Sequence, residues 1–144
     1  MSGPALRKLE SHHAIHETAR HEADEALRLA QRAYASGDQE AFLRVAEVFL
    51  QVIEGRVLIH AAEEEQGLYQ EWLQLATMQP SAIDELIQEH DAVRHEASLL
   101  ERAMVQGDHA EAMSAMYQLM TDSARHSQHE EEVLRLLSWE RSEG

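Results

Sequence analysis

Apolar residues recur along this chain in steps of three and four, the spacing of one face of an α-helix, and they predict four long helices. The pattern is interrupted where a glycine or proline meets a residue that can cap a helix, at Gly37-Asp38, Gln79-Pro80-Ser81 and Gly107-Asp108. We therefore expect an all-α fold with helices over residues 5–36, 39–77, 82–106 and 109–139. The second segment is expected to break near Gly67 and to leave a short extra helix containing Tyr69 and Trp72.

The residues at the breaks also predict how the helices begin. Asp38 and Ser81 can each accept hydrogen bonds from the free N–H groups of a helix start. Asp108 followed by Glu111 resembles a capping box. We expect these side chains to fix the starts of the second, third and fourth helices.

The inward face of each predicted helix carries a histidine. In the second helix this face contains Phe42, Ala46, Phe49, Ile53, Val57, His60, Glu64 and Leu68, and in the fourth it contains Ala112, Met116, Leu119, Ser123, His126, Glu130, Leu134 and Leu137. The first helix presents Leu9, His13, His16, Ala19, Ala23, Leu27 and Ala30, and the third presents Ile83, Ile87, His90, Val93, Ala97, Leu100 and Met104. Buried imidazoles and carboxylates are costly unless they are partnered, so these polar positions indicate a site.

A weak internal repeat relates the two halves of the chain. The segment from His16 to Ala23 aligns without a gap with the segment from His90 to Ala97. The helix that follows each of them contains a His-x-x-x-Glu pair. Two similar halves suggest a site near a pseudo-twofold axis.

Composition narrows the chemistry of that site. The chain is 44% hydrophobic and 27% charged, as expected for a globular protein, and its 144 residues fit one domain at 1–144. It has no cysteine, which excludes thiolate-bound zinc, iron–sulfur clusters and cysteine nucleophiles. It has ten histidines, more than a small acidic bundle needs for solubility or packing. Any bound metal is therefore held by nitrogen and oxygen.

Charge and hydropathy restrict the partners. A formal net charge of −15 disfavours nucleic acid and anionic membrane surfaces. The chain has no apolar run long enough to span a bilayer, and its N-terminus lacks the apolar segment of a signal peptide. We expect a cytoplasmic protein whose partner is a small molecule.

The candidate ligands form His-x-x-x-Glu pairs, in which residues i and i+4 lie on one helix face about 5–6 Å apart at Cβ. His60/Glu64 and His126/Glu130 lie within the apolar faces, whereas His13/Glu17 and His21/Glu25 are expected to be coincidental. Imidazole and carboxylate together suit iron, manganese or zinc. Four-helix bundles build dinuclear sites from inward residues of this kind.

The order H…HxxxE…H…HxxxE over four helices resembles the haemerythrin-like (HHE) cation-binding domain family, and the resemblance covers essentially the whole chain. It implies an up-down-up-down four-helix bundle around a non-haem di-iron centre. Carried over residue by residue, it implies the metal ligands His16, His60, Glu64, His90, His126 and Glu130. Glu64 and Glu130 would bridge the two iron ions together with an oxo or hydroxo group, and manganese or zinc is less favoured.

Two departures separate the chain from the oxygen-carrying haemerythrins. Those proteins have HxxxH in the third helix, but the position four after His90 is Arg94. They have HxxxxD in the fourth helix, whereas His126 is followed by Glu130 at the fourth position. The resemblance therefore favours a protein that binds, senses or reduces dioxygen, peroxide or nitric oxide. Slow peroxidase, catalase-like or nitric oxide-reducing turnover stays open.

Alternatives remain for individual residues. His12 or His13, about one turn before His16, can replace it as the first-helix ligand. His21 and His95 are expected to be solvated, with hydrogen bonding to a ligand as the alternative. The tyrosines are expected to pack in ordinary ways, with a role as an unusual metal ligand or a radical quencher as the alternative; they are Tyr34, Tyr69 and Tyr117.

Alternatives also remain for the function. The second hypothesis is storage or donation of iron or another divalent cation without redox turnover. The third is a metal-free helical interaction module, which is favoured only if the histidines are exposed. For His60, His90 and His126 with their carboxylates, the alternative to a metal site is a buried hydrogen-bonded layer that fixes the register of the bundle. The oligomeric state is open, a homodimer included.

Overall fold

The computed structural model describes the backbone of residues 4–75 and 77–143 and the side chains of residues 10–75 and 77–137. These residues form helices without any strand, as expected, and 92% of the residues that the structure describes are helical. The helices are α1 (Pro4–Ser36), α2 (Gln39–Val52), a π-helical segment (Ile53–Leu58), α3 (Ile59–Gln66), α4 (Leu68–Leu73), α5 (Pro80–Gln106) and α6 (His109–Glu143). Within the described ranges, no helix is both long enough and apolar enough to cross a membrane.

The helix ends follow the predicted breaks, with one exception. Gly37 and Gly107 adopt the left-handed backbone at φ 73° and 71°, which glycine tolerates and which ends α1 and α5. Asp38 accepts a hydrogen bond from the backbone N–H of Ala41 at 3.1 Å and caps α2. The prediction for Ser81 is wrong, because α5 already begins at Pro80, which needs no N–H partner in the first turn of a helix.

The long helices pack side by side around a continuous interior. α1 packs along α2 and α6, and α5 packs along α6. One apolar cluster contains Phe42, Phe49, Val93 and Met116, and a second contains Tyr69, Trp72, Ile83, Leu86 and Leu134. Along α6 the two clusters are separated by the stretch that contains His126 and Glu130, so the buried polar residues lie between two apolar layers.

The second segment does not continue as one regular α-helix. Its α-helical bonding gives way to a π-helical segment, Ile53–Leu58, before α3 begins. A wider turn takes up extra chain length. α3 then ends at Gln66, and Gly67, at φ −115° and ψ −81°, interrupts the helix before α4. In α4 Tyr69 is fully buried, whereas Leu68, the predicted inward residue, is only partly buried.

Candidate metal centre

Two groups of four side chains converge in the interior, between the apolar layers. The His12 group consists of His12, His60, Glu64 and Glu130, and the His90 group consists of Glu64, His90, His126 and Glu130. Within each group the ligand atoms lie within 4.8 Å of one another, close enough to hold one ion. Both groups use the same two glutamates.

Glu64 divides its carboxylate between the two groups. Its Oε2 lies 3.3 Å from Nε2 of His12 and 3.3 Å from Nε2 of His60. Its Oε1 lies 3.4 Å from Nε2 of His90. One oxygen therefore faces each group, as in a carboxylate that bridges two ions.

The carboxylate of Glu130 likewise directs one oxygen toward each side of the centre. Its Oε1 lies 3.3 Å from Nε2 of His16 and 3.9 Å from Nε2 of His12. Its Oε2 lies 3.4 Å from Nε2 of His126. The two halves of the chain thus contribute one bridging carboxylate each, Glu64 from α3 and Glu130 from α6.

Helix α1 contributes two histidines to the His12 side. The ring centroid of His16 lies 6.0 Å from that of His12 and 5.8 Å from that of His60. His12 therefore joins His16 instead of replacing it. His13 points outward, with 61% of its side chain exposed, and bonds to Glu131.

The placement of His13 on the inward face is wrong, and helix geometry explains the error. Both His12 and His13 lie about one turn before His16. A step of four residues turns about 40° past a full turn, whereas a step of three falls about 60° short of it. His12 therefore lies closer to the face of His16 than His13 does.

The structure brings the six predicted ligands together around one point. They are His16, His60, Glu64, His90, His126 and Glu130, from α1, α3, α5 and α6. The other two residues at the centre were not among the predicted ligands. They are His12, considered only as a substitute for His16, and Tyr69, for which ordinary packing was expected.

Three of the central histidines are oriented by a carboxylate on the outer side of the ring. In each pair the ring donates from Nδ1 to the carboxylate and turns Nε2 toward the centre, an arrangement common among metal-binding histidines. The pairs are His16 with Glu131 at 3.0 Å, His90 with Glu65 at 2.6 Å, and His126 with Glu89 at 2.7 Å. These carboxylates set both the tautomer and the angle of each ring.

Several buried atoms at the centre have no hydrogen-bond partner among the described residues. They are Nε2 of His60, Nε2 of His126, Oε2 of Glu64 and Oε1 of Glu130. Buried polar atoms in native proteins are nearly always partnered, and an unpaired buried charge costs several kcal/mol. A cation between these atoms would partner them all, so the residues fit a metal.

The electrostatics of the centre also favour cations. Burial opposes ionisation of Glu64, but His12, His60 and His90 overcome it and hold the pKa of Glu64 well below its ordinary value. Burial lowers the pKa of His126, but Glu130 and Glu89 outweigh burial and raise it. The centre thus concentrates negative charge that is balanced by protons in the absence of metal.

Tyr69 reaches the centre from α4. Its side chain is fully buried, and its hydroxyl donates a hydrogen bond to Oε2 of Glu130. The hydroxyl oxygen of Tyr69 also lies 3.2 Å from Nε2 of His90. The helical periodicity before Gly67 placed Leu68 on the inward face, and it did not extend past the break to Tyr69, so this contact was not expected from the sequence.

A cavity of about 770 Å³ adjoins the centre on another side. Its polar wall contains His16, His60, Glu64, His90 and His126, and its apolar wall includes Ile53, Val57, Val93 and Met120. Further lining residues are charged, among them Arg20, Arg56 and Arg135. A cavity with apolar surface next to convergent polar groups is suited to a small ligand.

The remaining charged candidates lie farther out. His21 is exposed and pairs with Glu25 at 3.3 Å, and His95 is exposed. Arg20 occupies the position of the internal repeat that corresponds to Arg94, and it pairs with exposed Glu17 at 2.8 Å. Arg94 instead bonds to Glu65, the carboxylate that orients His90. The two repeated arginines therefore have different surroundings.

Comparison with known proteins finds no relative of this chain. No family model matches the chain, and neither the curated proteins nor the solved structures contain a match to it.

Proposed function

We propose that the chain is a haemerythrin-like, non-haem di-iron protein that binds, senses or reduces a small oxidant: dioxygen, peroxide or nitric oxide. The observation that carries the proposal is the sharing of Glu64 and Glu130 by the His12 group and the His90 group. Two four-donor groups with two common carboxylates suit a pair of ions better than one. The up-down-up-down topology of the resembled family is part of the proposal.

The donor types are compatible with iron, and the resemblance to the haemerythrin-like family favours iron among the ions that they can hold. Mixed imidazole and carboxylate donors suit iron, manganese and zinc, and the chain has no thiolate that would select for zinc. When bound, a pair of iron ions supplies a redox-active centre at which a small oxidant is held or reduced.

The residues of the chain have separate tasks at this centre. Glu64 and Glu130 would each contribute a ligand to both ions. Glu65, Glu89 and Glu131 keep the imidazoles turned inward. The cavity beside the histidines supports ligand binding more than simple metal storage, because a store does not need a partly apolar chamber at its metal.

Metal analysis and spectroscopy of aerobically purified protein test the proposal. We expect about two iron ions per chain and a near-ultraviolet absorption of a bridged ferric pair. Addition of peroxide or nitric oxide to the reduced protein is expected to change the spectrum. A Glu64→Gln, Glu130→Gln double variant serves as the metal-free control.

Other outcomes distinguish the alternatives. Two irons with no spectral response to any of the three oxidants would favour storage or donation. Fewer than about one metal per chain after gentle purification would contradict the proposal and favour a metal-free interaction module.

A further inference from the structure

The hydroxyl oxygen of Tyr69 lies between two side chains of the His90 group, His90 and Glu130. His90 lies 2.6 Å from Oε2 of Glu65 through its Nδ1, and a carboxylate only accepts hydrogen bonds. The hydrogen of a neutral His90 ring is therefore on Nδ1. Its Nε2 then carries a lone pair and no hydrogen.

The hydroxyl group of Tyr69 has one hydrogen, and Tyr69 donates it in a hydrogen bond to Glu130. The hydroxyl of Tyr69 donates to Oε2 of Glu130, which leaves only lone pairs on the side of Oη that faces His90. Oη and Nε2 of His90 are 3.2 Å apart, so with a neutral His90 ring a lone pair of each atom is available to one ion, and without metal a second proton on His90 fills this position.

The two groups also differ in the number of histidines. The His12 side has three imidazoles, from His12, His16 and His60. The His90 side has only two, from His90 and His126. Oη of Tyr69 lies on the side that has fewer nitrogen donors, next to two of the atoms that would hold its ion.

We propose that Tyr69 is a ligand of the ion in the His90 group, through its phenolic oxygen. The inference rests on the proposed function, since it needs an ion at this position. It gives that ion imidazole, carboxylate and phenolic donors, while the ion on the His12 side has imidazole and carboxylate alone. Tyr69 thereby blocks the far side of the centre, and an external ligand approaches from the cavity.

Coordination exchanges a proton for a metal ion. The phenolic O–H bond breaks, an oxygen–metal bond forms, and the proton leaves to water. No electron is transferred in this step, so no oxidant or reductant is required. Metal binding that releases protons from its ligands is general for protein sites.

The test compares ferric wild-type protein with Tyr69→Phe and Tyr117→Phe. Tyr117 is a matched control, since its hydroxyl is also hydrogen-bonded, to Gln31, but lies at the surface with 47% exposure. We expect a visible phenolate-to-iron charge-transfer band in the wild type, its loss in Tyr69→Phe and its retention in Tyr117→Phe. We also expect iron affinity of the His90 group to fall about tenfold or more in Tyr69→Phe.

Resonance Raman spectra of wild-type protein with ring-deuterated tyrosine provide a test that does not depend on a variant's folding. Isotope-shifted phenolate vibrations under the visible band are expected. Two irons without such a band, or a band that persists in folded Tyr69→Phe, would overturn the inference and leave the di-iron proposal intact. Wild-type protein that binds no metal would overturn both.

Discussion

Glu64 and Glu130 each direct one carboxylate oxygen toward the His12 group and the other toward the His90 group. Neither group is complete without both glutamates. The two binding positions are therefore coupled, because an ion on one side orients the carboxylates that the other ion uses. The predictions for metal binding depend on this coupling.

Replacing one shared glutamate should weaken both metal positions together. In Glu64→Gln the amide keeps the size of the side chain but lacks the negative charge that a bridging ligand supplies. We expect the affinity for each ion to fall at least tenfold, measured by titration of metal-free protein with ferrous iron under anaerobic conditions.

The neighbouring Glu63→Gln is the matched control, since Glu63 is exposed. It should bind both ions as the wild type does. A Glu64→Gln variant that lost one ion and kept the other at full affinity would contradict the bridging role.

His12 and His13 should differ sharply although they are adjacent. His12 directs Nε2 toward Glu64, whereas His13 is mostly exposed. We expect His12→Ala to lower metal affinity about 10- to 100-fold and His13→Ala to change it less than about threefold. The measurement is competition with a chelator of known affinity, and equal effects of the two variants would exclude His12 as a ligand.

Removing the metal should destabilise the fold. Glu130 is 0% exposed and Glu64 is 4% exposed, and a bound cation offsets the cost of burying their charge. Free metal at about 100 times its Kd stabilises a protein by about 2.7 kcal/mol per site. We expect chelation to lower the melting temperature by several degrees in calorimetry, with full recovery when iron is restored.

The exposed-site variant Glu63→Gln should show the same change in melting temperature on chelation as the wild type. The Glu64→Gln, Glu130→Gln variant should show almost none. An unchanged melting temperature in wild-type protein shown to have lost its metal would contradict the prediction.

Stability should also depend on pH through a carboxyl pair outside the metal centre. Burial and the nearby carboxylate of Asp122 raise the pKa of Glu96 from 4.5 to about 8. The folded state thus holds a proton that the unfolded state releases, so this stability is present below about pH 4.5 and is lost as pH rises to about 8. The other groups at the pair belong to α6: Gln118 donates to Asp122, and Arg125 lies 3.8 Å from it.

Glu96→Gln removes that titration while keeping the size of the side chain. We expect the variant to exceed the wild type by about 1 kcal/mol in urea unfolding above about pH 8, with little difference near pH 5. Glu101→Gln, at an exposed position of the same helix, is the control. Parallel pH profiles for wild type and Glu96→Gln would exclude Glu96 as the source.

The helices were predictable because their signals are local. Gly37 and Gly107 end helices through the left-handed backbone, and Asp38 caps the next helix within three residues. Along α6 the predicted inward face from Ala112 to Leu137 matches the burial pattern, since a regular helix keeps one face over its whole length.

The details of the centre were less predictable because they depend on departures from regular geometry and on distant residues. Tyr69 reaches the centre from α4, after Gly67 has interrupted the helical backbone, so the periodicity of the preceding helix did not place it there. Glu89 and Glu131 orient histidines 37 and 115 residues away, a pairing that no spacing rule along one helix contains. The inward position of His12 could have been predicted from the sequence, because its four-residue spacing from His16 places both rings on one helix face.

The π-helical segment Ile53–Leu58 makes the second helix tolerant of a change in its length. Its wider turn holds about one residue more than an α-helical turn, so deleting Gly55 would allow ordinary α-helical bonding without the rotation of about 100° that a deletion causes in a regular α-helix. His60 and Glu64 would then keep facing the centre. A deletion between residues 77 and 79, where no helix is formed, should also leave the ligands in place. Evolutionary drift in the length of this chain is thus tolerated both in the connection and in the π-helical segment.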